Sequence, residues 1–132
     1  MQDRPTYDEL LAAVERFLDD EIVSNSEGAR RFHARVAANV LRIVRRELGH
    51  EDEQLAREWA GLDELLGATE RPEGRSALRE AMASRTEELC KRIRRGDADA
   101  GSFRDAVLGH VRRTVRDKLL VTNPGWVGEE AT

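Results

Sequence analysis

The 132-residue chain carries 22 Lys or Arg and 26 Asp or Glu, a formal net charge of −4, and 39% of its residues are hydrophobic. This length suits one domain spanning 1–132, and the apolar share is too high for a disordered chain and too dispersed for a membrane span. One cysteine excludes an internal disulfide framework, and the N-terminal sequence lacks the apolar core of a signal peptide, so we expect a cytoplasmic protein.

The first predicted element is a helix that begins at a capping box. Thr6 is followed three residues later by Glu9, which is the spacing at which the two residues cap each other's backbone N–H groups. Apolar residues at helical spacing then continue to Ser24. No segment of the chain has the alternating pattern typical of a strand.

Four further helices are predicted along the chain. The second covers about 29–48 and is expected to end at Gly49, because glycine readily takes the left-handed conformation that terminates helices. The others cover about 52–66, 75–95 and 102–123. The apolar side of the helix at 75–95 carries Leu78, Met82, Leu89 and Ile93. Ser102 is expected to cap the last helix, whose inward positions are Phe103, Val107, Val111, Thr114 and Val115. The sequence therefore predicts an all-α fold, a single-domain bundle of about five helices.

The predicted second helix has two contrasting halves. Projected at about 100° per residue, one half is apolar and is expected to be buried, which would make this helix the central element of the bundle. That half contains Phe32, His33, Val36, Ala37, Val40, Leu41, Ile43, Val44 and Leu48. The other half is rich in arginine, and residues 30–46 carry six arginines and no acid.

These arginines are the first candidate binding site. Their counter-charge comes either from acids of neighbouring helices or from an external anion, and residues 1–29 carry a compensating charge of −6. Arginine suits bidentate contacts with carboxylates or phosphates. We therefore take Arg35, Asn39, Arg42 and Arg46 as the candidate contact residues.

The alternative is a pocket between the predicted second and fifth helices. His33, His110, Asp117 and Lys118 lie on or beside the inward faces of these helices. A lysine on an apolar face either extends its ammonium to solvent, pairs with an acid such as Glu47, or has a lowered pKa. Such a pocket would accept a phosphate- or acyl-CoA-type ligand.

Several other functions have little support. Carboxylate-bridged metal sites in bundles use two Glu-x-x-His motifs, and this chain has one such pair, Glu47 and His50. Cys90 stands alone and no glycine-rich phosphate loop occurs, so no metal or cofactor is expected. Nucleic-acid binding is disfavoured by the acidic pI of about 5.5. A membrane-surface role is disfavoured because the apolar half of the second helix is needed for the core.

Three segments resemble a bacterial family of small all-helical proteins of unknown function. They are the stretch 31–48, the opening PTYDELLAAVERFLDDEI, and Asp117-Lys118-Leu119 followed by Asn123-Pro124. The resemblance implies genes close to those of acyl-CoA dehydrogenases and of kinases similar to aminoglycoside phosphotransferases. It also implies that the residues shared with the family matter more than other surface positions, namely Arg35, Asn39, Arg42, Arg46, Asp117, Lys118 and Asn123.

Together these observations favour a non-catalytic accessory protein that acts through its arginine-rich helix face. Its partner would be another protein, such as an enzyme encoded nearby, or a second copy of the chain. The alternative hypothesis is a small-ligand-binding bundle or an enzyme that uses the pocket residues.

Overall fold

A computed structural model describes residues 3–128, which form α-helices and no strand. The helices are α1 (Tyr7–Phe17), α2 (Gly28–Leu66), α3 (Arg75–Arg94) and α4 (Gly101–Thr122). A π-helical segment, Leu18–Val23, continues α1, and a 3-10 turn, Pro124–Trp126, follows α4. The all-α class is confirmed, with four α-helices in this part of the chain instead of about five.

The predicted second and third helices are one continuous helix, α2, because Gly49 does not end it. Its φ angle is not positive, unlike that of Gly67 directly after α2, which has φ 94°. A glycine inside a helix costs roughly 1 kcal/mol relative to alanine, and no proline or further turn residue follows Gly49 to stop the helix. The prediction of a helix end at Gly49 was wrong for this reason.

The predicted N-terminal cap of α1 is confirmed. The backbone N–H of Thr6 donates to the Glu9 carboxylate at 2.7 Å, and the backbone N–H of Glu9 donates to the Thr6 hydroxyl at 3.3 Å. At α4 the expected cap at Ser102 is displaced, since the helix begins at Gly101 after Ala100.

The chain divides into two compact units, residues 3–51 and residues 52–128. The first contains α1, the π-helical segment and the N-terminal part of α2, and we call it the hairpin. The second contains the rest of α2 with α3 and α4, and we call it the C-terminal unit.

The C-terminal unit has a continuous apolar core formed by all three of its helices. The core side chains are Trp59, Leu62 and Leu65 of α2, Leu78, Met82 and Leu89 of α3, and Val107 of α4. Leu62 is completely buried. On α4 the expected inward positions Val111 and Val115 are exposed, so its apolar stripe is narrower than predicted.

A buried arginine, Arg85 of α3, joins this core to the end of α2. Its guanidinium donates to the backbone carbonyls of Leu62 at 3.1 Å and Gly67 at 2.7 Å, and it pairs with the carboxylate of Asp63. It also lies over the ring of Trp59, 4.8 Å from the centroid. Arg85 thus connects α3 both to the last turns of α2 and to the residue that follows this helix.

Candidate functional site

The arginines of α2 are neutralised in part by acids of α1. Arg42 donates to Glu15 at 2.8 Å and pairs with Asp19, while Arg45 donates to Asp8 at 2.8 Å and to Glu15 at 2.8 Å. Asp8 near the start of α1 thus pairs further along α2 than Asp19 does, so the two helices run antiparallel. The expectation that acids of the first helix supply the counter-charge is confirmed for Arg42 and Arg45.

These ion pairs fix the charges involved. Hydrogen bonds from Arg45 hold the pKa of the Asp8 carboxyl below its usual range. The same bonds, with those to Glu15, raise the pKa of Arg45 above its already high value. The guanidinium groups of Arg42 and Arg45 are therefore committed to the hairpin itself, and an external anion would have to compete with these carboxylates.

The other candidate residues of the arginine-rich side differ in exposure. Arg35 and Asn39 are exposed, and neither side chain forms a hydrogen bond or an ion pair within residues 3–128. Arg46 is half-buried and lies beside a cavity of about 270 Å³ with Arg42, Arg45 and His50. We call Arg35, Asn39, Arg42 and Arg46 the arginine face.

The apolar half of the predicted second helix is not buried, and that prediction was wrong. Phe32, Val36, Val40 and Val44 are all exposed, and His33 beside them is exposed as well. The residues of this part of α2 that are buried are two small ones, Ala34 and Ala38. Alanines let two backbones approach closely, and the ion pairs draw the arginine-bearing side of α2 towards α1, so this side forms the contact.

A row of apolar residues on α1 is exposed in the same way. Leu10, Val14 and Phe17 follow one another at spacings of four and three residues, and each is about half exposed. That spacing is typical of a helix seam that packs against another helix.

Both exposed rows point away from the contact between α1 and α2. Counted at about 100° per residue, Leu10, Val14 and Phe17 lie roughly 110–170° from the side of α1 that carries the paired acids Asp8 and Glu15. Val40 and Val44 lie roughly 105–145° from the facing side of α2. We call these five residues the apolar face.

The arginine face lies on the opposite flank of α2 from Val40 and Val44. By the same count Arg35, Asn39 and Arg46 lie roughly 75–115° from the facing side of α2, in the opposite rotational sense. Sequence reasoning missed the apolar face because it assumed that apolar residues at helical spacing pack inside their own chain.

The pocket residues predicted from the sequence belong to both units, His33 to the hairpin and the other three to the C-terminal unit. His110 and Asp117 line one cavity of about 230 Å³ in the C-terminal unit, together with Arg57, Glu58 and Glu64 among others. Lys118 lines a different cleft. Its ammonium is largely exposed and lies 3.9 Å from the carboxylate of Glu58 in the same unit.

Asp117 has a structural partner in this cavity. Its carboxylate accepts two hydrogen bonds from Arg57, both of 3.1 Å, and its backbone carbonyl accepts one of 2.9 Å from Gln54. The hydrogen bonds to Asp117 raise the pKa of Arg57. Asp117 therefore connects α4 to α2, which gives it a role in the fold independent of any ligand.

His110 is buried against α2, with 6% of its surface exposed. Gly61 allows this position, because a Cβ atom at residue 61 would lie 2.3 Å from the imidazole Nδ1. Burial lowers the pKa of His110 below the usual histidine value, so the ring is neutral at pH 7. A neutral imidazole offers the cavity one hydrogen-bond donor and one acceptor.

Within residues 3–128, no group of three or more His, Cys, Asp or Glu side chains is arranged to hold a metal ion. None of the helices described there is both long enough and apolar enough to span a bilayer.

Comparison with known families identifies the chain by residues 24–126, which match the model of a domain of unknown function, DUF6285. The chain belongs to the DUF6285 family. The match includes two of the segments on which the family resemblance was based, 31–48 and 117–124, while the opening segment 5–22 precedes the matched residues. Comparisons with curated proteins and with solved structures give no match. DUF6285 membership therefore supports an all-helical chain of unknown function and assigns no catalytic residue.

Proposed function

We propose that this DUF6285 protein is a non-catalytic accessory module that binds another protein through its hairpin. The observation that carries the proposal is the apolar face, five apolar side chains of two helices that are 38–55% exposed. Large exposed apolar surface marks interaction sites in globular domains. The docking contact on the partner would be an apolar helical surface with a charged margin.

The form of the face favours a protein over a small ligand. Residues spaced by three or four along two antiparallel helices make ridges that fit the grooves between residues of other helices. A small molecule is instead held in a concave site that encloses most of its surface. The apolar face consists of convex helix surface, so a helical partner matches it better.

The arginine face would supply a second, polar contact on the other flank of α2. Arg35 and Asn39 are exposed for it, and Arg46 adjoins them. Arg42 would have a structural role instead, because its guanidinium already forms ion pairs with Glu15 and Asp19. In a bacterial cytoplasm, an enzyme encoded beside the gene, as the family resemblance implies, is a suitable partner.

The test compares three full-length proteins as baits: the natural chain, a double variant Val14→Glu and Val40→Glu, and the arginine-face variant Arg35→Glu. Proteins that the natural chain retains from an extract of its own cells are identified by mass spectrometry, and binding is then measured again with purified components. We expect the double variant to lose at least about tenfold in affinity, and Arg35→Glu to lose less, with a stronger dependence on salt. Equal retention by the double variant and the natural chain would overturn the proposal.

A second candidate function is supported by the cavity beside His110. A neutral, buried imidazole beside Asp117, Arg57 and Arg113 offers a site for a phosphate-bearing or acyl-CoA-type ligand. A thermal-shift screen with phosphates, nucleotides and coenzyme A esters tests it. A ligand at a hundredfold excess over its Kd stabilises the fold by roughly 2.7 kcal/mol. A shift that disappears in His110→Ala supports the pocket, and no shift with any compound refutes it.

A further inference from the structure

The turn that follows α4 forms a groove with that helix. The backbone N–H of Asn123 donates to the carbonyl of Leu119 at 2.7 Å, and the backbone N–H of Trp126 donates to the carbonyl of Asn123 at 3.0 Å. Pro124 begins the 3-10 turn, where its fixed φ angle suits the first helical position. Trp126 and Val127 consequently line one groove together with residues of α4.

The groove has an apolar floor that is open to solvent. Its volume is about 350 Å³, and the apolar residues that line it are Val111, Val115 and Leu119 of α4 with Trp126 and Val127. Val111 and Val115 are 42% and 49% exposed, and Trp126 is 75% exposed. Because the residues of α4 recur at every fourth position, the floor follows the helix for about 12 Å. An elongated apolar group placed along α4 would cover it.

Two arginines line the same groove. Arg112 and Arg116 are exposed, and neither side chain forms a hydrogen bond or an ion pair within residues 3–128. They lie one turn apart on α4, so both guanidinium groups can reach the same anion. Among the described residues that line the groove there is no acid to neutralise them. The groove therefore complements a molecule that joins an apolar chain to an anionic head group.

The dimensions of the groove favour a small molecule over a protein. Sites for small molecules have volumes of about 300–1,000 Å³, a range that includes this groove. A standard protein interface instead buries about 800 Å² on each partner. The groove extends over little more than two turns of one helix and a short segment after it, which is a smaller area.

From these features we propose that the groove binds a free single-chain amphiphile with an anionic head group. The chain lies along Val111, Val115 and Trp126, and the carboxylate or phosphate head group binds Arg112 and Arg116. This site belongs to the C-terminal unit, so it is independent of the proposed protein-binding function, which depends on the hairpin.

The test uses Trp126 as an internal fluorescent probe, because the other tryptophan, Trp59, is buried in the core. Octanoate is titrated into the full chain below its micelle concentration, and octanol and octyltrimethylammonium serve as neutral and cationic probes of the same chain length. We expect octanoate to shift the Trp126 emission to shorter wavelength. Octanol should bind at least about tenfold more weakly, because it lacks the charge that the arginines recognise, and the cationic probe should bind more weakly still.

Variants of α4 locate the site. The double variant Arg112→Glu and Arg116→Glu should raise the Kd for octanoate by at least about tenfold in calorimetry. Arg104→Glu is the matched control, since it makes the same charge change at an exposed position of the same helix outside the groove, and its Kd should equal that of the natural chain. Val115→Asp should also weaken binding, because it places a carboxylate on the apolar floor.

Each other outcome would overturn the inference. These outcomes are no saturable binding of octanoate up to about 10 mM, equal binding of the three probes, and an equal loss in Arg104→Glu and the double variant. Retention of the chain on vesicles of anionic phospholipid without binding of octanoate would assign the groove to a membrane surface instead. If the double variant unfolds, as circular dichroism would show, the comparison of the three probes on the natural chain decides.

Discussion

Gly61 of α2 and His110 of α4 lie in direct contact, so close that a methyl group on residue 61 would come within 2.3 Å of the imidazole Nδ1. Gly61→Ala should therefore lower the free energy of unfolding by roughly 1–3 kcal/mol, although alanine is the better helix former. In a His110→Ala background the same change should cost nothing or should stabilise the protein. Urea denaturation of the four proteins measures this coupling, and an equal cost in both backgrounds would show that the contact is not tight.

The buried imidazole also predicts a pH dependence. Because burial lowers the pKa of His110 in the folded protein, the unfolded chain binds a proton first as the pH falls below about 6.5. The free energy of unfolding should therefore be fully present above that pH and decrease below it, until the folded state is protonated as well. His110→Gln should remove this part of the pH dependence when urea denaturation is measured at a series of pH values, and an unchanged profile in this variant would contradict the assignment to His110.

A single substitution distinguishes one long helix from two short ones. In a continuous α2, with nothing within 4 Å of a Cβ at position 49, Gly49→Ala should stabilise the protein by about 0.5–1 kcal/mol. If Gly49 instead ended a helix in the left-handed conformation, alanine there would destabilise it. The sign of the change in Tm therefore decides whether α2 runs through residue 49.

Arg85 is expected to be the most sensitive arginine of the C-terminal unit. Arg85→Met should cost about 3–5 kcal/mol, because it leaves Asp63 and two backbone carbonyls without their donor. Arg94→Ala on the same helix is the control, since Arg94 is largely exposed and 3.6 Å from Glu87, and its cost should stay within about 0.5 kcal/mol. Similar costs for both variants in chemical denaturation would show that Arg85 is not the anchor of the α2 end.

Two arginines of the arginine face should respond differently to charge reversal. Arg42→Glu places a third carboxylate beside Glu15 and Asp19 and should lower the thermal stability of the hairpin. Arg35→Glu should leave stability within about 0.5 kcal/mol and affect binding alone. Thermal denaturation followed by circular dichroism checks this, and equal losses of Tm would contradict the division between the two residues.

Local signals in the sequence predicted much of the fold. The spacing of Thr6 and Glu9 identified the cap of α1, and the apolar periodicity identified Leu78, Met82 and Leu89 as buried. Each of these features depends on residues within a few turns of one another. The prediction at Gly49 was wrong because glycine occurs both inside helices and at their ends. The sequence does not show which of the two applies, since the difference lies in the backbone conformation.

The candidate site was harder to predict, because it depends on contacts between distant residues. The excess of acids before residue 30 correctly indicated internal partners for Arg42 and Arg45. The same excess did not indicate that those pairs turn the arginine-bearing side of α2 inward and leave Val40 and Val44 outside. Ala34 and Ala38 were the available signal, since two alanines one turn apart mark a side where helices approach closely.

The most direct test of the hairpin as a docking surface is photo-crosslinking from inside the apolar face. A benzophenone amino acid replaces Val14 in the full chain, and a second protein carries it at Val115, where the exposure is 50% and 49% respectively. We predict that irradiation at position 14 yields a protein adduct, whose partner mass spectrometry identifies, and that position 115 yields much less. Equal adduct yields at the two positions, or none at position 14, would contradict the account.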